Sequence, residues 1–376
     1  CPGTSSDVGV TVTAHPTVGP AAPSPSVAGR PAFRLGPLST VRRPARVLVT
    51  LALAVVLFLV FCLNVGRGDY PLSIPDVVNV LVGGGSRIER FVVMDLRLPR
   101  ALTGALVGAA LAVSGALMQS ITRNSLASPD ILGITSGASV AAISLIVLSG
   151  TSTAVGLFAT LGVTLAALLG GLLTAALVYV LSWRGGVQGM RLVLVGIAIN
   201  AMMVALIGWM LVNADITDVT RAQLWLTGTL SGATWSQVWP VTAAVVVLGV
   251  SSVIMSFRLS AMRLGPDTAR SLGVDVQRSQ AVLLVTSVAM AAIATSVAGP
   301  IGFVALAAPQ IALRLTRCAE PPLIASALTG AVTVVGSDLI ARTILPVELP
   351  VGIVTSVLGG PFLLYLLVRV NRKATV

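Results

Sequence analysis

Charge is scarce in this chain. Of its 376 residues only 10% are Asp, Glu, Lys or Arg, against about 25% in soluble domains. That leaves too little polar surface to cover a water-soluble body of this size, so long apolar runs must face lipid. Histidine is scarcer still. His15 is the only one, and it sits in a Pro/Ser/Thr-rich stretch. The three cysteines, Cys1, Cys62 and Cys318, show no CxxC spacing. A zinc site draws about four ligands from Cys, His and acidic residues, so no protein-bound metal is expected. A disulfide framework is equally unsupported. No Ser/His/Asp or Cys/His nucleophile set can be built, and no GxxxxGK(S/T) phosphate loop occurs. Neither an enzyme nor a resident cofactor is expected. Acidic residues inside apolar runs are nearly absent, which argues against a proton- or sodium-coupled carrier, because such carriers need intramembrane ionisable groups. Asp338 is the main exception. With Arg342 one turn later it reads as a local ion pair at the end of a span, and Asp130 lies near the start of another.

What the chain has in abundance is apolar length. It is 55% hydrophobic, with a mean hydropathy of +0.97. The pattern predicts an all-α, polytopic membrane protein with ten spans, at 46–65, 98–121, 133–149, 155–182, 190–213, 236–257, 278–298, 303–316, 322–342 and 351–370. Several spans are rich in Ala, Gly and Val, which suits close helix contact in lipid. The Gly104/Gly108 and Gly133/Gly137 pairs, each one turn apart, are candidate packing faces. A net charge of +11 would suggest nucleic acid in a soluble protein. Here the arginines fall in short loops beside apolar runs, as membrane orientation requires, and no nucleic-acid partner is expected. With the N-terminus inside and strict alternation, only Arg67, Arg87, Arg90, Arg97, Arg100, Arg221 and Arg342 of the 24 Lys/Arg fall outside. The bias places both termini in the cytoplasm and favours an even number of spans.

Three regions depart from plain spans. Residues 1–45 lack periodicity, are rich in Pro, Ser, Thr, Gly and Ala, and read as a disordered cytoplasmic tail ahead of a transmembrane domain at 46–372; residues 373–376 read as a cytoplasmic end. The run from Val47 to Leu63 reads as an uncleaved first span. Gly299-Pro300-Ile301-Gly302 interrupts the chain between the seventh and eighth spans, and Pro309 lies within the eighth. Such breaks mark either a transport pathway or a Pro-kinked packing helix. The longest inside loop, Arg258 to Arg278, carries the signals of a short capped helix. Gly265 can cap it, Pro266 suits its first position, Asp267 and Arg270 complement its dipole, and Gly273 stops it. Such a helix either docks a cytosolic partner or lies as an ordinary interfacial segment.

Several segments together resemble the FecCD family of ABC permeases, which includes vitamin B12 and ferric-siderophore importers. They are Arg97-Leu98-Pro99-Arg100 with the span ending Gly115-Ala116-Leu117-Met118-Gln119; Arg123-Asn124-Ser125-Leu126-Ala127-Ser128-Pro129-Asp130-Ile131-Leu132-Gly133; Ala269-Arg270-Ser271-Leu272-Gly273-Val274; Gly299 to Val304 with Ala308-Pro309-Gln310-Ile311; and Gly336-Ser337-Asp338 with Glu348 to Thr355. The family often has Pro at the position of Ser125 and His at that of Gln310. The resemblance covers about residues 46–372. It implies a type II importer architecture: two permease subunits, identical or paralogous, above two cytosolic ATP-binding subunits, supplied by an extracytoplasmic substrate-binding protein and embedded in the lipid of the bacterial plasma membrane. Ferric siderophores are the implied substrates, with haem and cobalamin as alternatives. It further implies that residues 264–275, with Pro266, Asp267, Ala269, Arg270, Leu272 and Gly273, couple to the ATPase. Arg97, Arg100 and Arg342 would meet the binding protein. Asn200, Met203, the segment Leu224–Gly232, Gly302 and Gln310 would line the path.

Overall fold

The computed structural model describes residues 32–35, 38–41, 44–68, 70–149, 157–183, 189–262, 265–344 and 347–374. The chain divides into two units, Cys1–Pro44 and Ala45–Val376. Most of the expected tail lies outside the described residues. Within it, β1 (Ala32–Leu35) and β2 (Leu38–Val41) pair antiparallel, with Ala32 opposite Val41 and Leu35 opposite Leu38.

Among its described residues the second unit contains helices joined by turns and loops, and no strand. Its elements are α1 (Pro44–Gly66), α2 (Ile74–Leu81), α3 (Arg87–Arg90), α4 (Leu98–Thr122), α5 (Ile134–Ser149), α6 (Leu157–Ser182), α7 (Gly189–Val212), α8 (Ile216–Leu226), α9 (Trp235–Met262), α10 (Pro266–Ser271), α11 (Val276–Ala298), α12 (Val304–Leu315), α13 (Leu323–Thr343) and α14 (Val351–Ala374). A π-helical stretch, Phe91–Arg97, joins α3 to α4, and a 3-10 turn, Pro129–Leu132, precedes α5. Among the described residues seven helices are long and apolar enough to cross a membrane, and three shorter apolar ones lie at Ile134–Val147, Val304–Leu315 and Val351–Leu366. Each of the ten spans expected from hydropathy coincides with one of these. The elements not foreseen are α2, α3 with its π stretch, and α8. All are too short or too polar to register as spans. Ser73 and Asp76 give α2 a reciprocal capping box, which holds the Asp76 carboxyl below the usual carboxylate range through the Ser73 hydroxyl and backbone amide.

Burial sorts the helices. In the column Arg87–Thr122, 78% of the most apolar stretch is buried within the chain, against 11% in α1 and in α7. Thus α4 is the hub, and α1 and α7 turn most of their surface outward. The hub packs through backbone contact rather than through large side chains. A Cβ on Gly108 would lie 2.3 Å from the Gly330 carbonyl oxygen, and one on Gly115 would overlap that of Ala305. These glycines bring α13 and α12 onto α4 as small-residue faces do in lipid. Ser114 and Ser287 add polar glue. Each hydroxyl donates to the other residue's carbonyl, at 2.6 and 2.8 Å, linking α4 to α11 in the buried interior. The largest apolar cluster gathers around this hub, with Leu111, Leu117, Leu283, Met290 and Val334.

Candidate functional site

The docking and coupling residues expected from the sequence fall at two ends of the bundle. One gathers the C-termini of α1, α11 and α13, the N-termini of α4, α9 and α14, and α8. Hydrogen bonds fix this grouping: Asn64 Nδ2 to Asp338 Oδ2, Trp235 Nε1 to the Met94 carbonyl, Thr229 N to Ala298 O, and Gly352 N to Gly228 O. The other end gathers the C-termini of α4 and α9 with α10, since Arg123 Nη2 donates to the Met262 carbonyl at 2.8 Å.

At the α8 end the three arginines expected to face a partner are engaged within the chain. Asp338 is the centre. Its side chain is 1% exposed. Oδ1 accepts from Arg100 Nε and Nη2 at 3.0 and 2.8 Å. Oδ2 accepts from Asn64 Nδ2 at 2.9 Å and lies 3.2 Å from Arg342 Nη2. Arg342 also donates to the Asn64 carbonyl and side-chain oxygens. A buried carboxylate is tolerated only when paired and hydrogen-bonded on this scale. The local Asp338–Arg342 pair expected from spacing is present, and Arg100 and Asn64 complete it. Arg97 has a different task. Its Nη1 donates to the Val65 and Gly66 carbonyls and its Nη2 to the Tyr70 carbonyl, capping the negative end of α1. Arg100 Nη1 reaches outward to Glu348 at 3.3 Å. Glu348 is noted above only as the first residue of a longer motif, and Asn64, one polar residue in an apolar run, carries no local signal of its burial.

Beside this network a cavity of about 360 Å³ opens. It is lined by Thr103, Trp225, Thr229, Ser231, Gln237 and Ser296, among others. Of the segment 224–232, Leu224, Trp225 and Thr229 to Gly232 line this cavity. The segment is also stitched to the break at Gly299–Gly302. Gly228 adopts φ +67°, and a Cβ there would lie 2.4 Å from the Pro300 carbonyl oxygen. The remaining path residues fall in two neighbourhoods. Asn200 and Met203 of α7 pack toward α5: Asn200 backbone lies against Gly133, and Met203 joins the cluster of Met118, Leu132 and Ile134. Gly302 lies near Ser356 of α14. Gln310 is buried and donates to Gln119 Oε1 at 2.7 Å, while Gln119 Nε2 donates to the Leu306 carbonyl at 3.1 Å. Gln119, noted only within a longer motif, is thus the partner that fixes Gln310.

At the opposite end α10 has the capped form read from the sequence, over Pro266–Ser271 rather than 264–275. Gly265 precedes it at φ +104° and Gly273 follows at φ +78°. Asp267 and Arg270 pair at 2.9 Å on its exposed side. Ala269 is fully buried against Leu259, Met262 and Val276, while Leu272 is 60% exposed. An apolar side chain so exposed beside an anchored one presents a contact surface. Leu264 lies outside the described residues. In the turn before α5, Asp130 has its Oδ1 sealed without a hydrogen-bond partner. Burial pushes its carboxyl up to about 6, against the opposing pull of the Thr135 hydroxyl.

A family model described as the FecCD transport family matches residues 56–369. The chain belongs to the FecCD transport family. This FecCD protein is 38% identical over 307 residues to the ferric enterobactin transport system permease protein FepG of Escherichia coli, an alignment covering 81% of this chain and 91% of that one. It is 37% identical over 326 residues to the iron(3+)-hydroxamate import system permease protein FhuG of Bacillus subtilis, covering 86% and 96%. A solved structure of a metal-chelate type ABC transporter in an inward-facing conformation superposes with a TM-score of 0.74 at 26% identity, over 85% of this chain and 99% of that one. The all-α polytopic architecture of a FecCD permease follows from the matched residues, which begin inside α1 and end inside α14.

Proposed function

We infer that this chain is the membrane-spanning permease subunit of an ATP-driven importer that moves iron–siderophore complexes into the bacterial cytoplasm by alternating access. The observation that carries the reading is 38% identity, over 81% of the chain, to a permease of ferric enterobactin transport. With no phosphate loop in the sequence, ATP hydrolysis falls to two separate cytosolic subunits. The α10 end is cytoplasmic, in accord with the Lys/Arg bias, and residues 264–275 seat in the ATPase. Pro266, Asp267 and Gly273 shape the helix, Arg270 steadies Asp267, Ala269 anchors it, and Leu272 enters the partner. Closure of the ATPases pushes on this segment and shifts the bundle between outward- and inward-open states.

The α8 end faces out and receives the binding protein. Arg97, Arg100 and Arg342 supply its positive field, which sets orientation and on-rate. Because Arg97 caps α1 and Arg342 ties α13 to α1, Arg100 makes the direct contact. The path runs from the cavity at Leu224–Gly232 past Gly302 and Gln310. Asn200 and Met203 contribute from a different face, so a second permease subunit, identical or paralogous, closes the route. Residues 46–372 form the permease domain, and residues 1–45 and 373–376 extend into the cytoplasm.

The test is uptake of radiolabelled ferric siderophore into proteoliposomes holding the complete transporter, with haem and cobalamin as competitors. Accumulation that needs both internal ATP and the binding protein, and that resists haem and cobalamin, is the expected result. Uptake driven by an ion gradient without ATP would overturn the importer reading. Effective competition by cobalamin would reassign the substrate.

A further inference from the structure

The Arg100 guanidinium divides its donors between two carboxylates of opposite character. Nε and Nη2 are spent on Asp338, whose side chain is 1% exposed. The remaining group, Nη1, meets Glu348 at 3.3 Å. The Arg100 side chain is 14% exposed and that of Glu348 is 58% exposed. Glu348 therefore lies at the rim of the network rather than inside it. Its neighbour Leu349 is fastened, N to the Ala341 carbonyl, so the carboxylate is carried on a short segment tied to α13.

We propose that Glu348 is an internal competitor for docking, holding the outward face of Arg100 until a carboxylate of the binding protein displaces it. The proposal rests on the reading of Arg100 as a docking residue and goes beyond it by naming what the partner must replace. The physical basis is charge and exposure. An acidic partner side chain approaching Arg100 finds Nε and Nη2 already bound to a carboxylate that cannot leave without stranding buried charge. Only the Glu348 position can be vacated at small expense, because a rim ion pair contributes little and its freed carboxylate returns to water. The apparent affinity for the binding protein is then reduced by the fraction of permeases in which Glu348 occupies Arg100. Release of Glu348 is thereby coupled to arrival of the partner.

Two variants separate contact from field. Glu348→Gln removes the negative charge. Glu348→Asp keeps the charge but shortens the side chain by one methylene, withdrawing it from Arg100. Affinity of the assembled transporter for its binding protein is measured in nanodiscs, with thermal unfolding as a check on the fold. Both variants are expected to bind about two- to fivefold tighter, the range of an exposed ion pair, and Arg100→Gln to bind at least about tenfold weaker. If Glu348→Gln tightens binding while Glu348→Asp matches the parent, only the general field matters and the competitor role is overturned. If neither changes affinity while Arg100→Gln weakens it, the competitor role falls and the docking reading survives. If Arg100→Gln binds like the parent, the docking reading falls and takes this inference with it.

Discussion

The two ends of the bundle are held by opposite means. At the α8 end three arginines, a buried aspartate and a buried asparagine lock α1, α4 and α13 together through charge-assisted bonds. At the α10 end a six-residue helix hangs between two positive-φ glycines, anchored by one buried alanine and showing Leu272 to solvent. The difference teaches how such a protein divides labour. On the proposed assignment, the end that receives a partner in one orientation is the one locked by ion pairs, and the end that moves under a partner's push is small, capped and lightly tied.

The sharpest way to break this contrast is at Asp338. Asp338→Ala would leave Arg342 buried without its carboxylate and Arg100 with only its rim contact to Glu348, and removing one member of a buried pair costs about 3–5 kcal/mol. The expected outcome is a large fall in thermal stability of the detergent-solubilised permease. The corresponding change at the other end should spare the fold. Leu272→Asp is expected to abolish co-purification with the ATPase and transport, while moving permease stability by no more than about 0.5 kcal/mol, since the side chain is exposed.

Asp130 sharpens the same comparison through pH. Its folded carboxyl is raised to about 6 from an unfolded value near 3.9. The folded state therefore binds more protons than the unfolded state between these values. Stability contributed by this group is present below about pH 4 and falls as pH rises through 6. Asp130→Asn should stabilise the permease by up to about 3 kcal/mol at pH 7, and by little at pH 4. Thermal inactivation across that range checks the sign. The smallest expected effect is at the pair that joins α4 to α12. Gln310→Leu strands the Gln119 side-chain oxygen, costing about 1–2 kcal/mol, and should lower stability without altering ATPase assembly.

Much of this was legible in the sequence for a physical reason. Apolar runs of about twenty residues admit only helices in lipid, so the ten segments could be read from hydropathy. The cap of α10 could be read because Gly265, Pro266 and Gly273 act locally. What stayed hidden depends on distance along the chain. Arg97 and Arg100, three residues apart, look equivalent, yet one caps α1 and the other pairs with a carboxylate 238 positions away. Asn64 is unremarkable until α13 is laid beside α1. The short α8, which fronts the cavity, has too little apolar length to register, and nothing local shows that Gly228 must pass Pro300.

The most direct test of the two-ended account is photo-crosslinking in one assembled transporter, with a benzophenone-bearing residue at position 272 or at position 347, beside Glu348. The account predicts that position 272 captures the ATPase and never the binding protein, and that position 347 captures the binding protein and never the ATPase. Capture of the binding protein from position 272, or of the ATPase from position 347, would contradict it.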